Sequence, residues 1–162
     1  MSAGTVAYVR SASERDLPAI SALLGRTWHD TYDDLYGSSN VAELTASWHS
    51  TQALKRQLAS PRSEFLVADD GKRILGAAFA RMTDESTAHL FQLYVDPGDQ
   101  GHGHGRMLLT ELLECFPDAR RMVLEVAAGN ERALGFYAHH GFVEGGRSSE
   151  NGIETVTLER AI

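Results

Sequence analysis

Residues 96–109, DPGDQGHGHGRMLL, place four glycines and two histidines in eight positions and then turn apolar. A glycine-rich turn that opens a helix exposes bare backbone N–H groups at the positive end of the helix dipole, which suits an anion such as a phosphate. Paired histidines suggest a metal instead, and a tight turn with no ligand is a third reading. Spacing tests the familiar versions. Gly98 and Gly103 are separated as in a Walker A loop, but His104 stands where lysine is needed. Gly101 and Gly103 begin a dinucleotide fingerprint, but Arg106 replaces its third glycine. His102 and His104 have no nearby cysteine and no helical His-x-x-x-His partner, so no metal is expected.

A second chemical segment is LEVAAGNERALGFYAHHGF, residues 124–142. Asn130 opens a helix, and Tyr137 follows seven residues later, about two turns on, with Ala133 available to the same side. Taken singly, Asn130 reads as a helix cap and Tyr137 as an amphipathic core residue with its hydroxyl at the rim. Glu125 is the one ionisable residue within the otherwise apolar run of RMVLEVA. A carboxylate on a central strand needs a partner or a task, and desolvation there would raise its pKa. Residues 27–37, TWHDTYDDLYG, join aromatic rings to three aspartates, a combination that suits a cationic acceptor. Trp28 and Tyr32 are its candidate substrate-binding residues, although they fall on an apolar stripe and so read first as core, with Asp30, Asp33 and Asp34 on an ordinary solvated face.

These residues need elements to position them. Residues 5–10, TVAYVR, alternate as a strand, and a helix is predicted from Asp16 as N-cap, with Pro18 in its first turn and a stripe of Leu17, Ile20, Leu23, Leu24, Trp28, Tyr32 and Leu35. Gly37 to Asn40 break it, and a second helix is expected from about Val41 to Ala59. Strands follow at 64–70, 73–82 and 88–95, the first two joined by a Gly71-Lys72 turn. After the glycine loop come a helix ended by Pro117, a strand at 121–127, and a helix at 131–140 between Asn130 as N-cap and Gly141 as C-cap. Strands near 142–147 and 153–159 flank a turn at Glu150-Asn151-Gly152. This order predicts one α/β domain over residues 1–162: a mixed, mostly antiparallel sheet with at least one strand-helix-strand crossover, flanked by about four helices.

The glycine loop fits Q-x-x-G-x-G at Gln100, Gly103 and Gly105, and with it the chain resembles the GCN5-related N-acetyltransferases, or GNAT family. The order of elements extends the resemblance over nearly the whole chain, and the Asn130–Tyr137 segment resembles the later part of that family's cofactor site. The resemblance implies acetyl-CoA as acyl donor. It assigns the pyrophosphate to Gln100, Gly101, His102, Gly103, His104, Gly105 and Arg106, with Asn130, Ala133 and Tyr137 lining one side. It also implies a splayed parallel strand pair that frees main-chain groups of Leu93, Tyr94 and Val95, the Val95 N–H facing the reacting carbonyl.

Amide formation from a thioester needs a neutral amine, a donor to the developing oxyanion and a proton for the departing sulfur. The resemblance makes Tyr137 the acid. The LEV segment with Asn and Tyr following also resembles the subgroup that acetylates protein N-termini, including ribosomal-protein alanine acetyltransferases, in which the matching glutamate is the base. That assigns Glu125, with a water chain or His89 as alternatives. The acceptor is open among small amine, polyamine, antibiotic and peptide N-terminus. A coenzyme-binding sensor or interaction module of the same fold, without turnover, is the alternative function.

Bulk properties narrow the partners. A formal charge of −7 over 162 residues argues against nucleic acid. Cys115 is the only cysteine, which excludes an internal disulfide and suggests a packing role. The first thirty residues lack an apolar stretch of signal-peptide length and no run could span a bilayer, so a cytoplasmic protein with no membrane partner is expected. The resemblance admits a homodimer.

Overall fold

The computed structural model describes residues 6–150 and 152–162. Seven strands form one sheet in the order β1-β2-β3-β4-β5-β7-β6. They are β1 (Tyr8–Ser11), β2 (Ser63–Asp69), β3 (Ile74–Met82), β4 (Thr87–Val95), β5 (Arg121–Ala127), β6 (Val143–Glu150) and β7 (Ile153–Ala161). Only β4 and β5 are parallel neighbours. A parallel pair needs a crossover, and helix α4 (His104–Glu114) supplies it.

On one face α4 and α5 (Glu131–His139) cover a core that includes Leu108, Leu112, Met122, Leu124 and Phe142. Across the sheet α1 (Leu17–Tyr36) and α3 (Thr51–Leu58) cover Phe65, Val67, Ala77 and Phe79, and α2 (Ser38–Trp48) packs on α1. Strand alternation divides β5 between the two: Met122, Leu124 and Val126 are buried, and Val123, Glu125 and Ala127 face the other way.

Several local expectations change. The predicted helix over 41–59 is two helices, because the chain turns at His49 and the Ser50 side chain restarts it by accepting from the Ala53 N–H at 3.1 Å. Among the described residues there are therefore five α-helices. Asp16 is the N-cap residue of α1, as expected, but its side chain makes no capping hydrogen bond to that helix. It closes a short 3-10 turn, accepts from the Ser13 N–H, and is gripped by both terminal nitrogens of Arg10 at 2.8 and 2.9 Å. Leu35, expected on the buried stripe, is exposed. Strand β1 lies later than expected, and Thr5 of the predicted strand and Asn151 of the predicted turn lie outside the described residues. Gly141, with φ +88°, follows the cap residue His140 instead of being the cap. Among the described residues no helix is long and apolar enough to cross a membrane.

The feature that matters for the site is a parting of β4 from β5. Their ladder runs only from Thr87–Arg121 to His89–Val123, although both strands continue. One cause lies on the other edge of β4: Phe79 pairs with Gln92 and Ala80 with Leu90, leaving Phe91 as an extra, bulged residue. A bulge bends and twists its strand. At the far end β4 stays tied to β3, where a Cβ on Gly76 would stand 2.8 Å from the Tyr94 carbonyl oxygen; only glycine permits that approach.

Candidate active site

The wedge between the parted strands lies between two cavities. On the α4–α5 side is a groove of about 300 Å³. Its walls are Leu93, Tyr94 and Val95 at the end of β4, Gln100, Gly101, Gly103, His104, Gly105 and Arg106 in the loop and α4, and Asn130, Ala133 and Tyr137 from α5. Every residue the sequence assigned to the cofactor lies on this wall except His102, which is exposed away from it. Thr27, Thr31, Asp99, Arg132 and Phe136 also line it and were missed. Arg132 and Phe136 lie on the same helix as Tyr137, where periodicity offered a signal; Thr27 and Thr31 come from α1, where none pointed to the groove.

Backbone geometry gives the groove its polar character. Gly101 and Gly103 both sit at φ +85°, the left-handed region that glycine enters without a Cβ penalty. The loop is tethered at its start by Arg26 to Asp96 and Arg73 to Asp99, each 2.6 Å. In the first turn of α4 the N–H groups of His104, Gly105 and Arg106 have no intrahelical acceptor. On β4 the Asp96 N–H donates to Leu75 O across β3, so by strand alternation the Val95 N–H and C=O face the wedge. The Gln100 amide donates to that carbonyl at 3.0 Å. The Val95 N–H therefore faces the gap that the departure of β5 leaves.

Asn130 fulfils the capping reading: its Oδ1 accepts from the Ala133 N–H at 3.2 Å. Its amide nitrogen meanwhile donates to the Tyr32 hydroxyl at 3.1 Å, tying α5 to α1. Tyr137 is buried, and burial, with Tyr94 and then Tyr32 nearby, pushes its phenol pKa upward. Burial does the same to Tyr94.

The second cavity, about 610 Å³, opens on the α1–α3 side. Trp28, Tyr32, Tyr36, Trp48 and Phe91 give it aromatic walls, and Glu125 looks into it from β5. Trp28 packs on Tyr32 at 4.6 Å and edge-on to Trp48 at 5.6 Å. Both candidate acceptor residues thus line a cavity, and Tyr32 is core as well. Asp30, Asp33 and Asp34 do not line it, and Asp33 is spent on His29 at 2.7 Å. The acidic wall expected for a cation is absent; the charged side chains lining the cavity are Glu125, Arg56 and Arg81.

Glu125 is also less buried than a central strand suggested. Its side chain is 48% exposed, because the parting of β4 uncovers that stretch of β5. Its partner is His89, whose Nε2 lies 2.7 Å from Oε2, so the two candidate bases form one pair. The His89 ring stacks on Phe91 at 4.2 Å. A narrow space of about 60 Å³ in the wedge is bordered by Glu125 and Tyr32 on one side and by Leu93, Ala133 and Tyr137 on the other. It shares Tyr32, Tyr94 and Glu125 with the larger cavity and Leu93, Tyr94, Ala133 and Tyr137 with the groove.

Comparison with known proteins fits this geometry. A family model described as "Acetyltransferase (GNAT) family" matches residues 26–142. The chain is 30% identical over 129 residues to an uncharacterized N-acetyltransferase of Mycobacterium tuberculosis, covering 78% of this chain and 83% of that protein. It is 36% identical over 93 residues to the N-alpha-acetyltransferase RimI of the same organism, covering 56% of this chain and 58% of RimI. In fold it is similar to the PaiA N-acetyltransferase of Thermoplasma acidophilum solved in complex with coenzyme A, with a TM-score of 0.88, 19% identity, and coverage of 97% of this chain and 99% of that one.

Proposed function

The chain belongs to the GNAT acetyltransferase family, and from that premise we propose that it moves an acetyl group from acetyl-CoA to a primary amine by direct attack in a ternary complex. The observation that carries the reading is the wedge with Tyr137 on one side and Glu125 on the other. A one-chamber binding module would not need a second cavity that shares its wall with the groove.

The groove fits the donor by chemistry. Left-handed glycines and the open N–H groups of α4 suit a diphosphate, and the unpaired edge of β4 suits an amide-bearing arm lying along it as a strand would. Bound acetyl-CoA would supply the acetyl group as a thioester. The Val95 N–H donates to the carbonyl oxygen as charge develops there. Glu125, held by His89, takes the proton from the attacking nitrogen. As the nitrogen–carbon bond forms and the carbon–sulfur bond breaks, Tyr137 gives its proton to the leaving sulfur. Burial keeps that phenol protonated across the neutral range. From reference values near 10 for a phenol and 8.5 for a thiol the transfer is uphill by about 2 kcal/mol, and the burial that raises the Tyr137 phenol adds to this, so the transfer must be coupled to cleavage of the carbon–sulfur bond.

The acceptor occupies the aromatic cavity. A peptide N-terminus is supported by the likeness to an N-alpha-acetyltransferase and by the LEV segment, and small amines fit the same volume. The test is release of free thiol from acetyl-CoA across a panel of amines and short peptides, alongside calorimetric binding of acetyl-CoA. Turnover with at least one amine is expected. Binding without turnover would replace the transferase by a coenzyme sensor of the same fold.

A further inference from the structure

The acceptor cavity carries charge of the opposite sign to that of the chain. Although the protein is −7 overall, Arg56 of α3 and Arg81 of β3 line this cavity, and among the described residues neither forms a salt bridge. Arg10, Arg26, Arg73, Arg121 and Arg147 are each paired with a carboxylate, and the other arginines, like these two, are not, so what distinguishes Arg56 and Arg81 is their place on this cavity. Long guanidinium side chains without a carboxylate partner beside a cavity are available to a ligand anion.

Arg81 is also placed with respect to the reacting end. Its guanidinium sits 5.0 Å above the Phe91 ring, Phe91 stacks on His89, and His89 holds Glu125. Arg81 pairs with His89 and His89 with Val123, so Val123 of β5 lies two strand spacings, roughly 10 Å, from Arg81, and Glu125 is two residues further along, past the end of the β4–β5 ladder. Long Arg and Glu side chains shorten that span to what a molecule with an amine and a carboxylate a few bonds apart can bridge. Deeper in the same cavity the His49 ring is 4% exposed, and its Nδ1 has no hydrogen-bond partner. An unpaired buried polar atom on a cavity wall marks a place for a ligand polar group. Trp48 and Phe91, both exposed, offer apolar surface beside it.

We infer that the acceptor, on the transferase reading above, is a primary amine whose own molecule carries a nearby carboxylate: the amine meets Glu125 and His89, and the carboxylate meets Arg81 and Arg56. A free amino acid and a peptide with an acidic residue beside its N-terminus share this chemistry. A polyamine does not, since it would bring cations to two unpaired guanidinium groups.

The experiment compares kcat/KM for matched acceptors: phenylalanine against phenylalanine amide, alanyl-aspartyl amide against alanyl-lysyl amide, and spermidine. The acid member of at least one pair should exceed its partner by about tenfold or more, as a hydrogen-bonded charge pair warrants. The first pair leading identifies a free amino acid, and the second a peptide. In the Arg56→Gln, Arg81→Gln double variant the acid preference should fall about tenfold, and Arg81→Glu should turn it toward the lysyl peptide. Both arginines are exposed, so these variants test binding without emptying the core. Spermidine or the neutral amides leading in wild type, or a preference that survives both variants, overturns the inference and leaves the transferase reading standing. Acetyl-CoA binding with no turnover on any amine overturns both.

Discussion

The two cavities that meet at the wedge are built from different materials. The polar features of the donor groove are main chain: two left-handed glycines, the first turn of α4 and an unpaired strand edge. The acceptor cavity is lined by aromatic and charged residues drawn from α1, α2, α3, β3, β4, β5 and β7. A main-chain site depends on where the fold puts peptide groups, so it tolerates change in side chains and needs glycine at few points. A side-chain site can be rewritten one residue at a time. The same coenzyme can then be kept while acceptors change.

The contrast can be broken most forcefully at Glu125. Its side chain faces the acceptor cavity and does not line the donor groove. Glu125→Gln should lower kcat/KM by about 10²–10³-fold near neutral pH, the usual scale of general-base loss, while acetyl-CoA affinity stays within a factor of about two. Steady-state rates with calorimetry check it, and a loss under about threefold would move the base to a water chain.

His49 probes the acceptor side through stability. Burial holds its imidazole down at about 4. The unfolded chain, near 6.5, takes up the proton first, so stability is full above about pH 6.5 and falls as pH drops toward 4, by about 3 kcal/mol in all. His49→Phe should remove that slope, read as urea midpoints at pH 7.5 and 5. An unchanged slope would mean that another group sets it.

Gly103 probes the main-chain side with a smaller effect. A Cβ there meets nothing within 4 Å, so only its φ of +85° resists substitution. Gly103→Ala should cost about 1–2 kcal/mol, seen as roughly 5–30-fold weaker acetyl-CoA binding with kcat at saturation nearly kept. A large fall in kcat instead would tie the loop to the chemical step.

The same contrast explains what was legible in the chain. Gln100, Gly103 and Gly105 could be recognised because backbone demands leave a spaced pattern, and Asn130 because a cap has a fixed position relative to its helix. The strand at 121–127 could be read as a short apolar run and matches β5 residue for residue. The break at His49 was not read, since residues 41–59 contain no glycine or proline, and the signal was the run Trp48-His49-Ser50-Thr51 of weaker helix formers with Ser50 as a cap. Nor were Arg56, Arg81, Phe91 and His49 as a group: they are scattered over 43 positions, residues 49 to 91, and meet only in three dimensions. The expected burial of Glu125 failed for a related reason, because the bulge that uncovers it lies on the neighbouring strand.

The central claim is that the main chain holds the donor while Tyr137 and Glu125, on either side of the wedge, perform the chemistry. Tyr137→Phe tests it most directly, because it removes one hydroxyl from a buried ring. Calorimetric binding of acetyl-CoA and thiol release with the best amine should be measured on the same preparation. The account predicts affinity within about threefold of wild type and turnover reduced by about 10²-fold or more. Turnover retained to within a factor of about three would contradict it, as would loss of binding in a variant that melts at the wild-type temperature.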